Sequence, residues 1–236
     1  MWWAGSKAHD VYLGTRAFAV CQGSERLQVQ AVEGFEGAIA ALGEWLKTLR
    51  GRPRLRIWLS GGICRPFILP QLPGIKSRVE LLRATSALAP QRTGLSGECR
   101  VWVDRNSAHM AAAVQQGRLD ELFEATGSAQ IKSIRPWWAE LLRVVLQNEP
   151  QVPVIAAHDC DSLTLLAGRD GRFDIANTLS PVRDRETADA ALARMLLSVE
   201  SEAGQELIGR LTPLDKSPGV FSRPEIAMSP CVEFSR

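Results

Sequence analysis

The sequence predicts a mixed α/β protein in which antiparallel hairpins lead each half. Two observations predict this. Segments alternating with period 2 are paired over 10–33 and again over 152–180, while segments with apolar residues three and four apart lie between them. Residues 10–50 and 152–204 also share one order of strand, turn, strand and helix, although no tandem repeat is visible.

The elements follow in order. DVYLGTRAFAVC (10–21) reads as a strand, QGSE (22–25) as a polar turn and RLQVQAVE (26–33) as the returning strand. FEGAIAALGEWLKTLRG (35–51) places Phe35, Ile39, Leu42, Leu46 and Leu49 at helical spacing, and Gly51 and Pro53 end it. LRIWLSGG (55–62) is a short buried strand running into glycines, and the prolines of 66–74 predict irregular chain. A helix is expected over 75–88, a loop over 89–98, a strand over 99–105 and a helix over 107–127, broken near Gly117. QIKSIRP (130–136) is a strand ended by Pro136, and 137–148 a helix. Segments 152–160, 162–171 and 172–180 form a meander, with Arg169-Asp170-Gly171 as the tight turn. A helix over 186–204 buries Leu192, Met195, Leu196 and Val199, and Gly204 stops it. Residues 211–236 hold four prolines and four serines and read as a flexible or partner-binding tail.

Composition excludes several classes. The chain has 236 residues, enough for one large or two small domains, and a formal net charge of +2 from 28 basic and 26 acidic residues. That balance gives no general electrostatic case for nucleic acid. Five dispersed cysteines without a CxxC pair argue against a zinc knuckle and a disulfide framework, and read as reduced thiols of a cytoplasmic protein. No apolar run approaches the ~18–20 residues of a membrane span, and the MWWAGSKAHD start lacks the apolar core of a secretory signal.

The chemical motifs are sparse. There is no P-loop, no G-x-G-x-x-G after a strand and no G-x-S-x-G. LSGGICR (59–65) could approach a phosphate, but Pro66, Pro70 and Pro73 interrupt the helix that should follow, so a strand-to-loop turn is the better reading. His158 and Cys160 form an H-x-C with Asp161 nearby, yet a transition metal wants three or four convergent ligands, and a polar strand end explains them better. Asp104, Asp159, Asp161 and Asp170 would suit a two-metal nuclease only if they converge, and nothing in their spacing selects them. In SIRPWW, an aromatic partner surface competes with plain helix-start chemistry in which the tryptophans pack inward.

Two stretches carry a family resemblance. YLGTRAFAV (12–20) resembles the first phosphate strand-turn of the actin/Hsp70/sugar-kinase superfamily, an aspartate, an apolar residue, glycine and threonine or serine. Leu13, Gly14 and Thr15 match, whereas Tyr12 stands where the magnesium-holding aspartate belongs. SLTLLAGRDGRF (162–173) resembles the second phosphate hairpin, and the aspartate and glycine expected upstream fall on Ala157 and Asp159. The branch most similar is that of the PilM-like pilus assembly proteins and the cytoplasmic domain of the type II secretion L protein. WVDRNSAHMAAAVQQGRLDELFEATG and IKSIRPWWAELL resemble the run those proteins have between the hairpins.

The resemblance spans about residues 10–205 and implies an actin-like, RNase H-like two-subdomain fold with mixed sheets and a degenerate nucleotide site. It implies subdomains at 1–98 and 99–210, followed by the 211–236 tail. It further implies a non-catalytic cytoplasmic scaffold, peripheral at the inner membrane of a type IV pilus or type II secretion platform. Such a scaffold binds the cytoplasmic tail of a membrane-anchored protein, contacts an assembly ATPase and can self-associate. The anchor is then a separate protein, or the chain is cut before one. No catalytic residue, metal ligand or cofactor is expected. Backbone N–H groups at Gly14, Thr15, Gly61 and Gly62 form a vestigial site with room for residual ATP binding. The rivals are an active ATPase or phosphotransferase of the same fold, with Asp10, Asp104 or Asp159 taking over the metal, and an RNase H-like nuclease. Asp10 discriminates between them, since it shares the strand face of Tyr12.

Overall fold

The structure, a computed structural model, describes residues 8–22, 28–104, 109–148, 154–169, 172–182 and 187–195. The stretch expected as one strand over 10–21 is two. Strand β1 (His9–Leu13) turns at Gly14–Arg16 into β2 (Ala17–Gln22), and Gly14 N–H donates to the Ala17 carbonyl at 2.9 Å. Strand β3 (Gln28–Ala31) pairs antiparallel with β2. Helix α1 (Gly34–Thr48) then buries Phe35, Ala38, Ala41 and Leu42, and β4 (Arg54–Leu59) returns parallel to β1.

Parallel pairing requires a crossover connection. Helix α1 lies on the first, and an insertion forms the second. The insertion contains β5 (Arg65–Ile68), α2 (Arg78–Thr93), β6 (Cys99–Val103), β7 (Met110–Gln115) and α3 (Gln116–Thr126). It ends at β8 (Gln130–Pro136), which is parallel to β4 and completes a five-stranded sheet of order β3-β2-β1-β4-β8. Helix α4 (Trp137–Asn148) leads to the meander β9 (Val154–His158), β10 (Leu163–Arg169) and β11 (Arg172–Leu179), an antiparallel sheet of its own. Residues 187–195 are helical.

The insertion departs most from the sequence expectation. Met110–Gln115 was expected inside a helix, because alanine favours helix. Instead β7 is the central strand of the sheet β5-β7-β6. Ala111 and Ala113 pack towards α2, while Ala112 and Val114 enter the main core, so small side chains serve a strand buried on both faces. Pro66 lies in edge strand β5, where a missing N–H is tolerated. Helix α2 runs past Pro90 to Thr93. A Ser77/Glu80 capping box starts it, and Gly94, at φ 68°, ends it.

One face of the large sheet, through Val11, Leu13, Leu55, Ile57 and Leu59, shares a core with α1, α3 and α4. That core continues into the meander through Ile155, Ala157, Leu166 and Phe173. The meander's other face, Leu163, Leu165 and Ala167, is covered by Ala188, Ala191 and Met195. The β1–β2–β3–α1 unit and the meander with its helix therefore share one plan, as the sequence order suggested. The turn over 22–25, the Arg169-Asp170-Gly171 turn, the end of the last helix and the 211–236 tail lie outside the described residues in part or whole. Among the described residues no helix is long and apolar enough to cross a membrane.

Candidate functional site

Three chain reversals meet where the two halves join: Gly14–Arg16 after β1, Ser60–Cys64 after β4, and Asp159–Ser162 between β9 and β10. Parallel pairing aligns the ends of β1 and β4, and Ser60 N–H donates to the Leu13 carbonyl at 2.9 Å. The antiparallel β9–β10 pair projects its turn onto both.

Two carboxylates fill the junction. Asp161 is fully buried, and its Oδ2 accepts from the Thr15 backbone N–H, the Thr15 hydroxyl at 2.7 Å and the Ser60 hydroxyl at 3.1 Å. Asp159 is also buried. Its Oδ2 accepts from Gly61 N–H at 2.8 Å, and its Oδ1 from the N–H groups of Asp161 and Ser162 and the Ser162 hydroxyl at 3.1, 2.9 and 2.8 Å. Burial first, and then the Asp161 charge, push the Asp159 carboxyl well above the usual carboxylate range, against the hydrogen bonds from Gly61 and Ser162.

The four expected residues, Gly14, Thr15, Gly61 and Gly62, come together here. A Cβ on Gly14 would lie 3.1 Å from Asp161 Oδ2 and 3.0 Å from the Tyr12 ring. A Cβ on Gly61 would lie 2.5 Å from the Thr164 hydroxyl and 2.6 Å from that of Ser162, and one on Gly62 would lie 3.2 Å from Asp161 Oδ1. The glycines thus admit aspartate, serine and threonine side chains at close range. The Thr15 and Gly61 N–H groups, expected to be open to a phosphate, donate to the Asp161 and Asp159 carboxyl groups.

The other candidates separate. Ala157 is in the main core. Asp10 holds Arg56 Nη2 at 2.5 Å and the Trp58 indole N–H at 3.4 Å, and lies four residues before Gly14, roughly 13 Å back along the strand. Asp104 follows β6, where its N–H donates to the Met110 carbonyl, and Asp170 lies outside the described residues. His158 is exposed and Cys160 half-buried, and no cluster of three or more His, Cys, Asp or Glu suited to a metal occurs among the described residues. Cys64, Cys99 and Cys160 form no disulfide. Trp137 and Trp138 pack inward. Trp137 meets Tyr12 and Trp58 edge-on, and the Trp138 indole N–H donates to the Cys64 carbonyl at 2.8 Å.

Two arginines flank the junction without any sequence signal. Arg65 opens β5 and donates to the Thr93 carbonyl at 2.8 Å. Arg118, in the first turn of α3, stacks over Phe35 at 5.6 Å. Burial lowers both guanidinium pKa values from their ordinary range; Arg118 lowers that of Arg65 further, against Asp161, and the charges of Glu121 and then Asp161 oppose the shift of Arg118.

A separate surface groove of about 480 Å³ lies between edge strands β6 and β8 and helix α3. Trp102, Phe123, Ile131 and Ile134 line its apolar part, Arg100 and Lys132 its charged part. Trp102 and Phe123 are exposed, at 36% and 49%. Lys132 sits at the register shift where β8 bulges against β4.

No protein-family model matches the sequence, and no curated protein matches it. Solved structures do. A Bacteroides thetaiotaomicron protein with an actin-like ATPase fold and unknown function is similar at TM-score 0.56 and 11% identity, over 85% of this chain and 80% of that one. The cytoplasmic domain of EpsL, an inner-membrane component of the Vibrio cholerae type II secretion system, is similar at 0.46 and 13%, over 84% and 77%. A chain of the PilM–PilN type IV pilus biogenesis complex is similar at 0.48 and 14%, over 86% and 68%. The chain has the actin-like fold, with Asp161 joining the turns of its two hairpins and Asp159 joining the β9–β10 turn to the Ser60–Cys64 reversal.

Proposed function

We propose that this protein is a non-catalytic scaffold of a bacterial type IV pilus or type II secretion inner-membrane platform, binding the cytoplasmic tail of a membrane-anchored partner. The observation that carries the non-catalytic half is the capture of the Thr15 N–H and hydroxyl by Asp161. A nucleotide phosphate would have to displace a buried carboxylate to reach those donors. It would also find tyrosine at position 12, where magnesium needs an oxygen ligand. Asp10, the residue that could have restored the metal role, is held by Arg56 and Trp58 instead.

The groove between β6 and β8 supports the partner half. An extended segment can add to a strand edge by main-chain hydrogen bonds while its side chains enter pockets beside it. The exposed Trp102 and Phe123 supply apolar anchors, and Arg100 and Lys132 favour acidic residues on the visitor. The platform itself, its cytoplasmic side and contact with an assembly ATPase rest on the resemblance of 12–20, 162–173 and the intervening segments.

Calorimetry with ATP and Mg²⁺ on the wild type and on Asp10→Ala tests the first half. No heat, or weak heat equal in both, is the expected result. Tight binding lost in Asp10→Ala would overturn the non-catalytic reading in favour of an active ATPase or phosphotransferase. Titrating the cytoplasmic tail of a platform membrane protein tests the second half: Trp102→Ala should weaken binding by roughly thirtyfold, as expected for an aromatic anchor.

A further inference from the structure

Strand β4 is parallel to both of its neighbours, β1 and β8. A strand so placed is ordinarily buried on both faces and reads as a continuous apolar run. In β4 only one face is buried. Leu55, Ile57 and Leu59 enter the main core, whereas Arg54 and Arg56 lie on the outer face and are exposed. Two more exposed arginines, Arg50 and Arg52, continue the spacing back towards α1, so that 50–56 reads R-G-R-P-R-L-R. The sheet pairing already includes Pro53, whose carbonyl accepts from Gln130 N–H at 2.8 Å. Arg135 of β8 pairs with Trp58, so it shares the outer face, and it too is exposed.

This row lacks counter-charge. Asp10 holds Arg56 at 2.5 Å, but Arg50, Arg52, Arg54 and Arg135 form no ion pair among the described residues. The sequence has no acidic residue between Glu44 and Glu80 that could supply one locally. Alternate residues of extended chain stand roughly 7 Å apart, so Arg52, Arg54 and Arg56 form a line rather than a set of donors converging on one point.

That geometry narrows the partner. A small anion needs convergent donors, which a line does not provide. A protein partner is anchored by apolar side chains, yet the exposed large apolar residues Val79, Trp102, Phe123 and Leu179 lie on α2, β6, α3 and β11. Duplex grooves admit a helix or a two-stranded ribbon, whereas β4 is flanked by β1 and β8. Single strands need free aromatic rings to stack on. Trp58, the aromatic residue beside the row, is half-buried, gives its indole N–H to Asp10 and meets Trp137 edge-on. An acidic bilayer asks only for several cations presented together to its headgroup plane.

We infer that Arg50, Arg52 and Arg54, with Arg135 beside them, form a docking surface for anionic phospholipid headgroups, so that the outer face of the large sheet lies against a bilayer. This inference does not rest on the scaffold proposal, since it uses neither the β6–β8 groove nor the joined hairpin turns.

Flotation of the full chain with phosphatidylcholine vesicles, with and without about one-third phosphatidylglycerol, tests the surface. The protein should float with the acidic vesicles only, and should be released as salt rises from about 0.05 M to about 0.5 M. Arg50→Gln, Arg52→Gln and Arg54→Gln together should weaken binding by roughly a hundredfold. Arg50→Lys, Arg52→Lys and Arg54→Lys together keep the charge and should keep most of the binding, and Arg83→Gln, an exposed arginine of α2, should change nothing. Circular dichroism checks that the variants are folded. For any that is not, protection of wild-type Arg50, Arg52 and Arg54 from arginine-specific modification by acidic vesicles replaces it. Equal flotation with both vesicles, or flotation indifferent to the glutamine substitutions, would overturn the inference. So would binding of single-stranded or duplex DNA more tightly than acidic vesicles and through the same arginines, which would assign the row to nucleic acid.

Discussion

Asp161 accepts hydrogen bonds from both the backbone N–H and the hydroxyl of Thr15, a residue 146 positions away, and so joins the turn of one hairpin to the turn of the other. The Ser60 hydroxyl adds a third donor to the same oxygen, at 3.1 Å. A carboxylate thus takes the acceptor role that an anionic ligand would otherwise fill.

Asp161→Ala should therefore destabilise the fold. It strands three donors of a buried, charge-assisted cluster, for a loss of about 3 kcal/mol or more. In a chain of this size that lowers Tm by roughly 6–12 °C. Asp161→Asn keeps an acceptor at the Oδ2 position and should lose much less. Thermal melts of the two variants decide the matter, and equal, small losses would show that the carboxylate does not hold the turns together.

Much of the fold was legible because burial on one face leaves a period. The alternation marked extended chain over 10–33, as a two-strand hairpin, and the meander over 152–180, and apolar spacing marked α1 and α4. Strand β7 was not legible, since an alanine-rich segment has helical propensity and becomes a strand only between β5 and β6. The β1–β2 turn was hidden because apolar residues resume at Ala17 without polar punctuation. At the site, Gly14, Thr15, Gly61 and Gly62 carried a local signature, whereas Asp159 and Asp161 were visible only as two of several aspartates with no spacing to select them. Arg65 and Arg118 could not be found, because only the pairing of β5 with β7, which runs on into α3, carries both towards Asp161.

Asp159 sets a pH dependence with a definite sign. Its folded pKa is raised above the ordinary 3.8, so the folded state binds the proton more tightly than the unfolded chain does. The stabilising contribution is present in full below 3.8 and is lost as pH rises through the folded pKa. The stability of wild type relative to Asp159→Asn should therefore fall as pH increases from about 4, by at most about 1.4 kcal/mol per pH unit. Urea denaturation of both proteins across that range measures the difference directly. Parallel curves, or a difference growing with pH, would show that burial and Asp161 do not raise this group.

Gly168 sits at the bulge where β10 slips its register against β11. Its backbone needs no unusual φ, so the requirement for glycine is one of space. A Cβ there would lie 1.8 Å from the Arg172 carbonyl oxygen and 2.6 Å from Arg172 C and Phe173 Cα, all backbone atoms that no rotamer change can move. Gly168→Ala should force β10 and β11 apart beneath the core residues Leu166 and Phe173, at a cost of about 3 kcal/mol. Gly43, inside α1, has nothing within 4 Å of the same atom, and Gly43→Ala should instead stabilise by about 0.5–1 kcal/mol through helix propensity. Melting the two variants side by side separates steric demand from backbone entropy. If Gly168→Ala melts with the wild type, the close approach of β10 to Arg172 is wrong, and with it the bulge that sets the register of the meander.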